Sequence, residues 1–114
     1  MLNTSYLVCF TATSNSDESK AFYKDVLGLT LIEDNPIAIV FDCNGVMLRI
    51  QKIASHVPLP CTAVGWHVQN IKSLIDELSK KGVHFERFHG MQQDERGIWK
   101  SPSGAKIAWF KDPD

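Results

Sequence analysis

Twice in this chain an amphipathic stretch closes on a glycine and runs directly into an extended apolar segment. The first is Ser16 to Leu29, SDESKAFYKDVLGL. Ser16 suits an N-cap, and Asp17 and Glu18 place negative charge at the positive end of the helix dipole. Ala21, Phe22, Val26 and Leu27 recur at helical spacing as the stripe to be buried. Gly28 takes the left-handed closing position, and Leu29 opens a strand. In the second stretch Asn70 caps a helix whose Ile71, Leu74, Ile75 and Leu78 fall at i, i+3, i+4 and i+7. Lys80 and Lys81 sit in its last turn, and Gly82 closes it. The two glycines mark the same point in two copies of one unit, strand-helix-strand-strand-strand. One such unit cannot cover both faces of its own sheet, so two must pack together.

The segments around the helices fit this duplication. Ser5 to Ala12 is apolar and β-prone. Leu29 to Glu33 and Ile37 to Cys43 read as strands separated by the turn tripeptide Asp34-Asn35-Pro36. Asn44-Gly45 is the strongest hairpin signal in the chain, and Val46 to Gln51 returns as its partner. Residues 52–60 hold two prolines and no periodicity, the pattern of a surface linker. Strands are then predicted at Cys61 to Val68, Val83 to Phe88, Gly97 to Lys100 and Lys106 to Lys111. The last two are joined at Ser101-Pro102-Ser103-Gly104, and Met91 to Arg96 is a polar loop. The expectation is a single α+β domain over residues 1–114, with module one at 1–51, a linker at 52–60 and module two at 61–114.

Charge excludes several classes of partner. Twelve basic and 13 acidic residues are mixed along the chain for a net charge of −1, so neither nucleic acid nor an anionic membrane is favoured. No apolar run approaches the roughly 18 residues that span a bilayer, and no basic segment followed by an apolar one opens the chain. A cytoplasmic protein is expected. Cys9, Cys43 and Cys61 are odd in number, far apart and without Cys-x-x-Cys spacing. They predict reduced, mostly buried thiols rather than a disulfide framework or a zinc knuckle.

The motif Ser-x-x-Phe-Tyr-x-x-Val-Leu-Gly-Leu at Ser19 to Leu29 resembles the first-helix signature of the vicinal oxygen chelate superfamily. That superfamily contains glyoxalase I, bleomycin- and fosfomycin-resistance proteins and extradiol dioxygenases. Ser103 to Asp114 is similar to its closing hairpin, where Asp-Pro-Asp is normally followed by Gly-Asn and one more short strand. The resemblance spans the chain from end to end. It implies two tandem βαβββ modules curved into an open, half-closed barrel with helices outside. The site lies on the concave face and is often completed by homodimer formation.

Metal-using members of that superfamily place ligands on the first, fourth, fifth and eighth strands. Carried over by counting from the motifs, the first three positions fall at Val8, Arg49 and Ala63, and the fourth lies beyond Asp114. Valine and alanine offer no lone pair, and a guanidinium repels a cation. No metal or other cofactor is therefore expected; a divalent ion belongs to the alternative reading. His67 shares the cavity-facing side with Ala63 by the period of two. His84 and Glu86 share a face of the sixth strand, His89 lies on the other face, and His56 is in the linker. None of these has tight ligand spacing.

The candidate ligand-binding residues are Arg49, His67, Trp99 and Trp109. Arg49 and His67 would make a cavity cationic or hydrogen-bond-donating, suited to a carboxylate or phosphate. His67 is either a general base near neutral pH or a packing residue. Trp66 is expected to face the helix layer. Trp99 and Trp109, on hairpin-paired strands, form an aromatic wall for a ligand, an interface patch or part of the core. The leading expectation is a metal-independent member that binds a small polar or anionic, partly aromatic molecule, and forms a homodimer. Its rivals are a glyoxalase- or dioxygenase-type enzyme and a partner-binding module.

Overall fold

The structure is a computed structural model that describes residues 1–114, and its chain divides into two units. The first comprises Met1–Trp66 with Pro113–Asp114, and the second His67–Asp112. In the first unit β1 (Val8–Thr13) leads into α1 (Ser16–Ala21), continued by a π-helical turn over Phe22–Val26. Then come β2 (Thr30–Asp34), β3 (Ala38–Cys43) and β4 (Val46–Lys52). The sheet order is β1-β4-β3-β2. β1 runs parallel to β4, and the other pairings are antiparallel. The β3–β4 hairpin forms at Asn44 (φ 50°) and Gly45 (φ 88°), the left-handed pair that a tight hairpin of this twist requires. At the β2–β3 turn the Asn35 side chain accepts hydrogen bonds from the backbone N–H groups of Ile37 and Ala38 at 2.8 and 2.9 Å.

One face of this sheet carries the core. Ile39 and Phe41 of β3 and Leu48 and Ile50 of β4 form one core with Tyr23. Phe41, Ile39 and Ile50 have no exposed surface. Cys9, Phe22, Leu27, Leu29, Leu31 and Val64 pack around it half-buried. The Tyr23 ring lies 6.0 Å from that of Phe41 and 5.4 Å from that of Phe22, edge-on to the latter.

The first helix departs from its predicted details. Asn15, not Ser16, is the N-cap, its side chain accepting the Glu18 N–H at 3.4 Å. Ala21 is exposed; Ser19 and Tyr23 are the buried residues, flanked by half-buried Phe22, Val26 and Leu27. The stripe is thus Ser19-Phe22-Tyr23-Val26-Leu27. A small serine allows close approach to the sheet, and tyrosine carries apolar area that hydrophobic patterning undercounts. The Leu27 N–H donates to the Phe22 carbonyl at 2.9 Å, the wider step of a π turn. Gly28 follows at φ 76°.

The second unit is sparser in strands than predicted. α2 (Ile71–Lys80) forms as expected, with the Asn70 side chain accepting the Ser73 N–H at 3.2 Å. Ile75 and Leu78 are buried on it, as are Val83 and Ile98. β5 (Trp99–Lys100) and β6 (Lys106–Ile107) make a two-residue antiparallel ladder. The predicted strand at Val83 to Phe88 contracts to a single bridge, Phe85 with Phe110. The stretch from Cys61 to Val68 joins no ladder. Its alternation supplies the composition of a strand, but a strand exists only where a neighbour accepts its backbone hydrogen bonds. Trp66, expected in the core, is 37% exposed, and its indole N–H donates to the Cys43 sulfur at 3.0 Å. The thiols are free, but Cys9 and Cys43 are only half-buried and Cys61 is exposed.

The loop that the sequence reads as polar is tied down. The Gln93 side chain accepts the Phe88 N–H at 2.8 Å and donates to the carbonyls of Glu86 and Gly97 at 2.9 and 2.8 Å. Arg87 donates to the carbonyls of Asp94 and Glu95. Arg96 forks onto the two oxygens of Asp76 at 3.0 and 3.1 Å.

Candidate ligand-binding site

The face of the first sheet opposite its core is set by register. Because paired residues point the same way, Val8, Met47 and Asp42 form one row and Phe10, Arg49 and Val40 the next. Val8 and Arg49, the two first-unit positions carried over from the superfamily, therefore share this face. Its β1–β4 side is open: Phe10 is 54% exposed, Met47 39% and Val8 38%. Its β3 side is closed, with Val40 and Ala38 buried. Arg49 is half-buried between the two.

The surroundings of Arg49 are apolar. Its contact is the Met47 sulfur, 4.0 Å from Nη1. The nearby carboxylate in the facing row, Asp42, instead accepts the Gly45 N–H at 3.2 Å and so serves the hairpin. Arg49 takes part in none of the ion pairs of its unit, which join Asp34 to Lys20 and Lys52. A guanidinium with five donors and no carboxylate partner, in register with Phe10, Met47 and Val40, presents charge on an apolar but open face. A fork of this kind makes charge-assisted, bidentate hydrogen bonds to a carboxylate or phosphate. Phe10 and Met47 are companions that the sequence reading did not single out. The period of two along each strand was the signal that places them beside Arg49.

In the second unit Trp99 and Trp109 are brought together, with ring centroids 6.1 Å apart, and Phe88 stands edge-on to Trp109 at 5.4 Å. Both tryptophans are half-buried. His67 is exposed at the unit's first position, and His84 and His89 are also exposed. His56 is half-buried in the first unit.

The positions carried over from the metal-using members hold no set of donors for a divalent ion. No group of three or more His, Cys, Asp or Glu side chains converges in this structure. The two carried-over positions on the first sheet are a valine and an arginine, and Ala63 lies exposed outside any ladder. Such an ion needs several oxygen, nitrogen or sulfur donors at once.

Residues 7–114 match the family model of the Glyoxalase/Bleomycin resistance protein/Dioxygenase superfamily. Among solved structures, a superfamily member from Sphaerobacter thermophilus is 18% identical, with a TM-score of 0.76 over 100% of this chain and 93% of that one. A bleomycin resistance determinant encoded on the transposon Tn5 is 15% identical, with a TM-score of 0.70 over 96% of this chain and 90% of that one. Lactoylglutathione lyase from Agrobacterium tumefaciens is 17% identical, with a TM-score of 0.68 over 96% and 87%. These likenesses show an α+β fold of the glyoxalase and bleomycin-resistance type. No curated protein matches the chain.

Proposed function

This chain belongs to the glyoxalase/bleomycin resistance/dioxygenase superfamily, and we propose that within it the protein binds a small anionic, partly aromatic molecule without a metal ion. The observation that carries this reading is Arg49, a guanidinium without a carboxylate partner on an open face flanked by Phe10, Val8 and Met47. The arginine fork would hold a carboxylate or phosphate bidentately, and the flanking side chains would cover an apolar or aromatic body. A valine and an arginine at two metal-ligand positions favour binding over metal-assisted chemistry. The protein is proposed to act as a homodimer, which its exposed Tyr6, Leu7, Val57 and Leu59 support. Its free thiols suit the reducing cytoplasm. No helix is long and apolar enough to cross a membrane.

The test is a thermal-shift screen of purified protein against aromatic carboxylates and aryl phosphates, repeated on Arg49→Met. Met keeps most of the stem and deletes the charge. Hits on the wild type that vanish in the variant support the reading. Metal content measured on undialysed protein supplies the opposing outcome. Close to one ion per chain overturns the metal-free reading and makes metal-assisted chemistry the leading account.

A further inference from the structure

Three lysines in the second unit each break a local electrostatic rule, and all three line the same cleft. Lys100 and Lys106 are directly opposite one another in the β5–β6 ladder. Like charges at facing positions of an antiparallel pair repel, and opposite charges are the stabilising choice. Lys72 is the second residue of α2, whose first turn carries no acidic residue. A cation there opposes the helix dipole. None of the three takes part in the ion pairs of this unit, which use Arg96, Lys111, Asp76, Glu95 and Glu86. Local conflicts of this kind concentrate where a ligand resolves them.

The cleft itself is a cavity of ≈ 350 Å³ lined by Lys72, Lys100, Lys106, Gln92, Asp94 and Ile98. Its floor is rigid, since Gln93 is fixed by three backbone hydrogen bonds and buried Ile98 donates its N–H to Asp94 at 2.9 Å. The one carboxylate, Asp94, already accepts the N–H groups of Ile98 and Arg96 through Oδ1. Those hydrogen bonds, that of Ile98 first, with the nearby charges of Arg96 and Lys72, hold its pKa below the ordinary 3.8. It offsets one of the three ammonium charges, so the cleft stays cationic in a chain whose net charge is −1. Lys100 and Lys106 stand on the opposite face of the ladder from Trp99 and Ile107. The cationic cleft and the tryptophan pair are therefore different surfaces of one hairpin.

We propose that the cleft between the first turn of α2 and the β5–β6 hairpin binds a compact polyanion of phosphate or polycarboxylate type through Lys72, Lys100 and Lys106. The ligand would bridge the two facing ammonium groups of the hairpin and neutralise the third at the helix start, with the Gln92 amide available as a further donor. This site is separate from Arg49 and does not depend on the function proposed for that face.

The experiment titrates pyrophosphate and, separately, citrate into the full chain at constant ionic strength, followed by backbone amide NMR and thermal unfolding. Either anion should shift the amides of Lys72, Gln92, Lys100 and Lys106 saturably and raise the Tm. Response to pyrophosphate alone assigns phosphate chemistry, and response to citrate as well assigns a general polyanion site. Lys100→Ser/Lys106→Ser should weaken binding by about tenfold or more, as expected from losing two charge-assisted contacts. The same double variant should leave unchanged any shifts at Val8, Phe10 and Arg49, which report binding to the separate face of the first sheet. Lys106→Glu, which replaces the repulsive pair with an attractive one, should raise the Tm without ligand and abolish the anion's effect. Shifts at the cleft amides no larger than those from sodium chloride, or cleft shifts undiminished in the double variant, overturn the proposal. So does a Lys106→Glu protein that still responds to pyrophosphate.

Discussion

Replacing Ser19 with alanine is expected to stabilise this protein. Ser19 is the most deeply buried residue of α1, with no exposed surface, and its hydroxyl has no hydrogen-bond partner. Burying an unsatisfied hydroxyl costs about 1–3 kcal/mol. Alanine removes that cost and adds roughly 0.5 kcal/mol of helix propensity. Against these stands a void the size of one oxygen atom, which lowers the gain because neighbouring atoms close it only in part. The net expectation is about 1–2 kcal/mol in favour of the variant, or roughly 4–10 °C in Tm for a domain of this size. Chemical denaturation in urea, with m unchanged and the midpoint raised, would separate a stability effect from a change in the unfolded chain. A Ser19→Val control should do the opposite, because two methyl groups overpack a contact that only a small side chain allows. The reasoning fails if Ser19→Ala lowers the midpoint. The hydroxyl would then be satisfied in solution, and serine would hold that place in the Ser-x-x-Phe-Tyr motif for its hydrogen bond rather than its size.

Phe41→Ala should cost about 3–5 kcal/mol, since its fully buried ring packs against Tyr23, and urea unfolding measures the loss. Gly45→Val should cost roughly 1–2 kcal/mol through backbone conformation alone, because a side chain there meets open space at φ +88°. The Asp34 carboxyl is held below its ordinary 3.8 by hydrogen bonds from Lys52 and then Lys20. Its ionised form is therefore favoured by folding, and that contribution is present above pH 3.8 and lost as the pH falls through the lowered folded value. Lys52→Met should accordingly move the acid-unfolding midpoint to higher pH, as followed by far-UV circular dichroism. A midpoint unchanged by the substitution would remove Asp34 from the account.

Much of the first unit was legible from local chemistry. Asn44-Gly45 permits little but a tight hairpin and Gly28 ends the helix; the β3–β4 register, not alternation in the continuous apolar run of β3, puts Ile39, Phe41, Leu48 and Ile50 on one face. The hairpin and the helix end depend on residues close in sequence, where propensity and period are sufficient. Counting from the superfamily motif named Val8 and Arg49, but that the two share an open face is decided by the register of β1, β4 and β3. The strand predicted at Cys61 to Val68 failed because pairing is a property of two segments, and one segment's composition cannot say whether a neighbour will be there. The buried stripe of α1 takes in Ser19 and Tyr23, one ordinary helical step apart, because a small hydroxyl residue and a phenol bury area that a purely apolar pattern does not count. The three lysines of the second unit carried no signal singly. Facing register joined Lys100 to Lys106 and the packing of α2 added Lys72, so the cationic cleft belongs to the tertiary structure alone. Sequence sets what each residue prefers; the fold decides which preferences are overruled, because charges interact through space rather than along the chain.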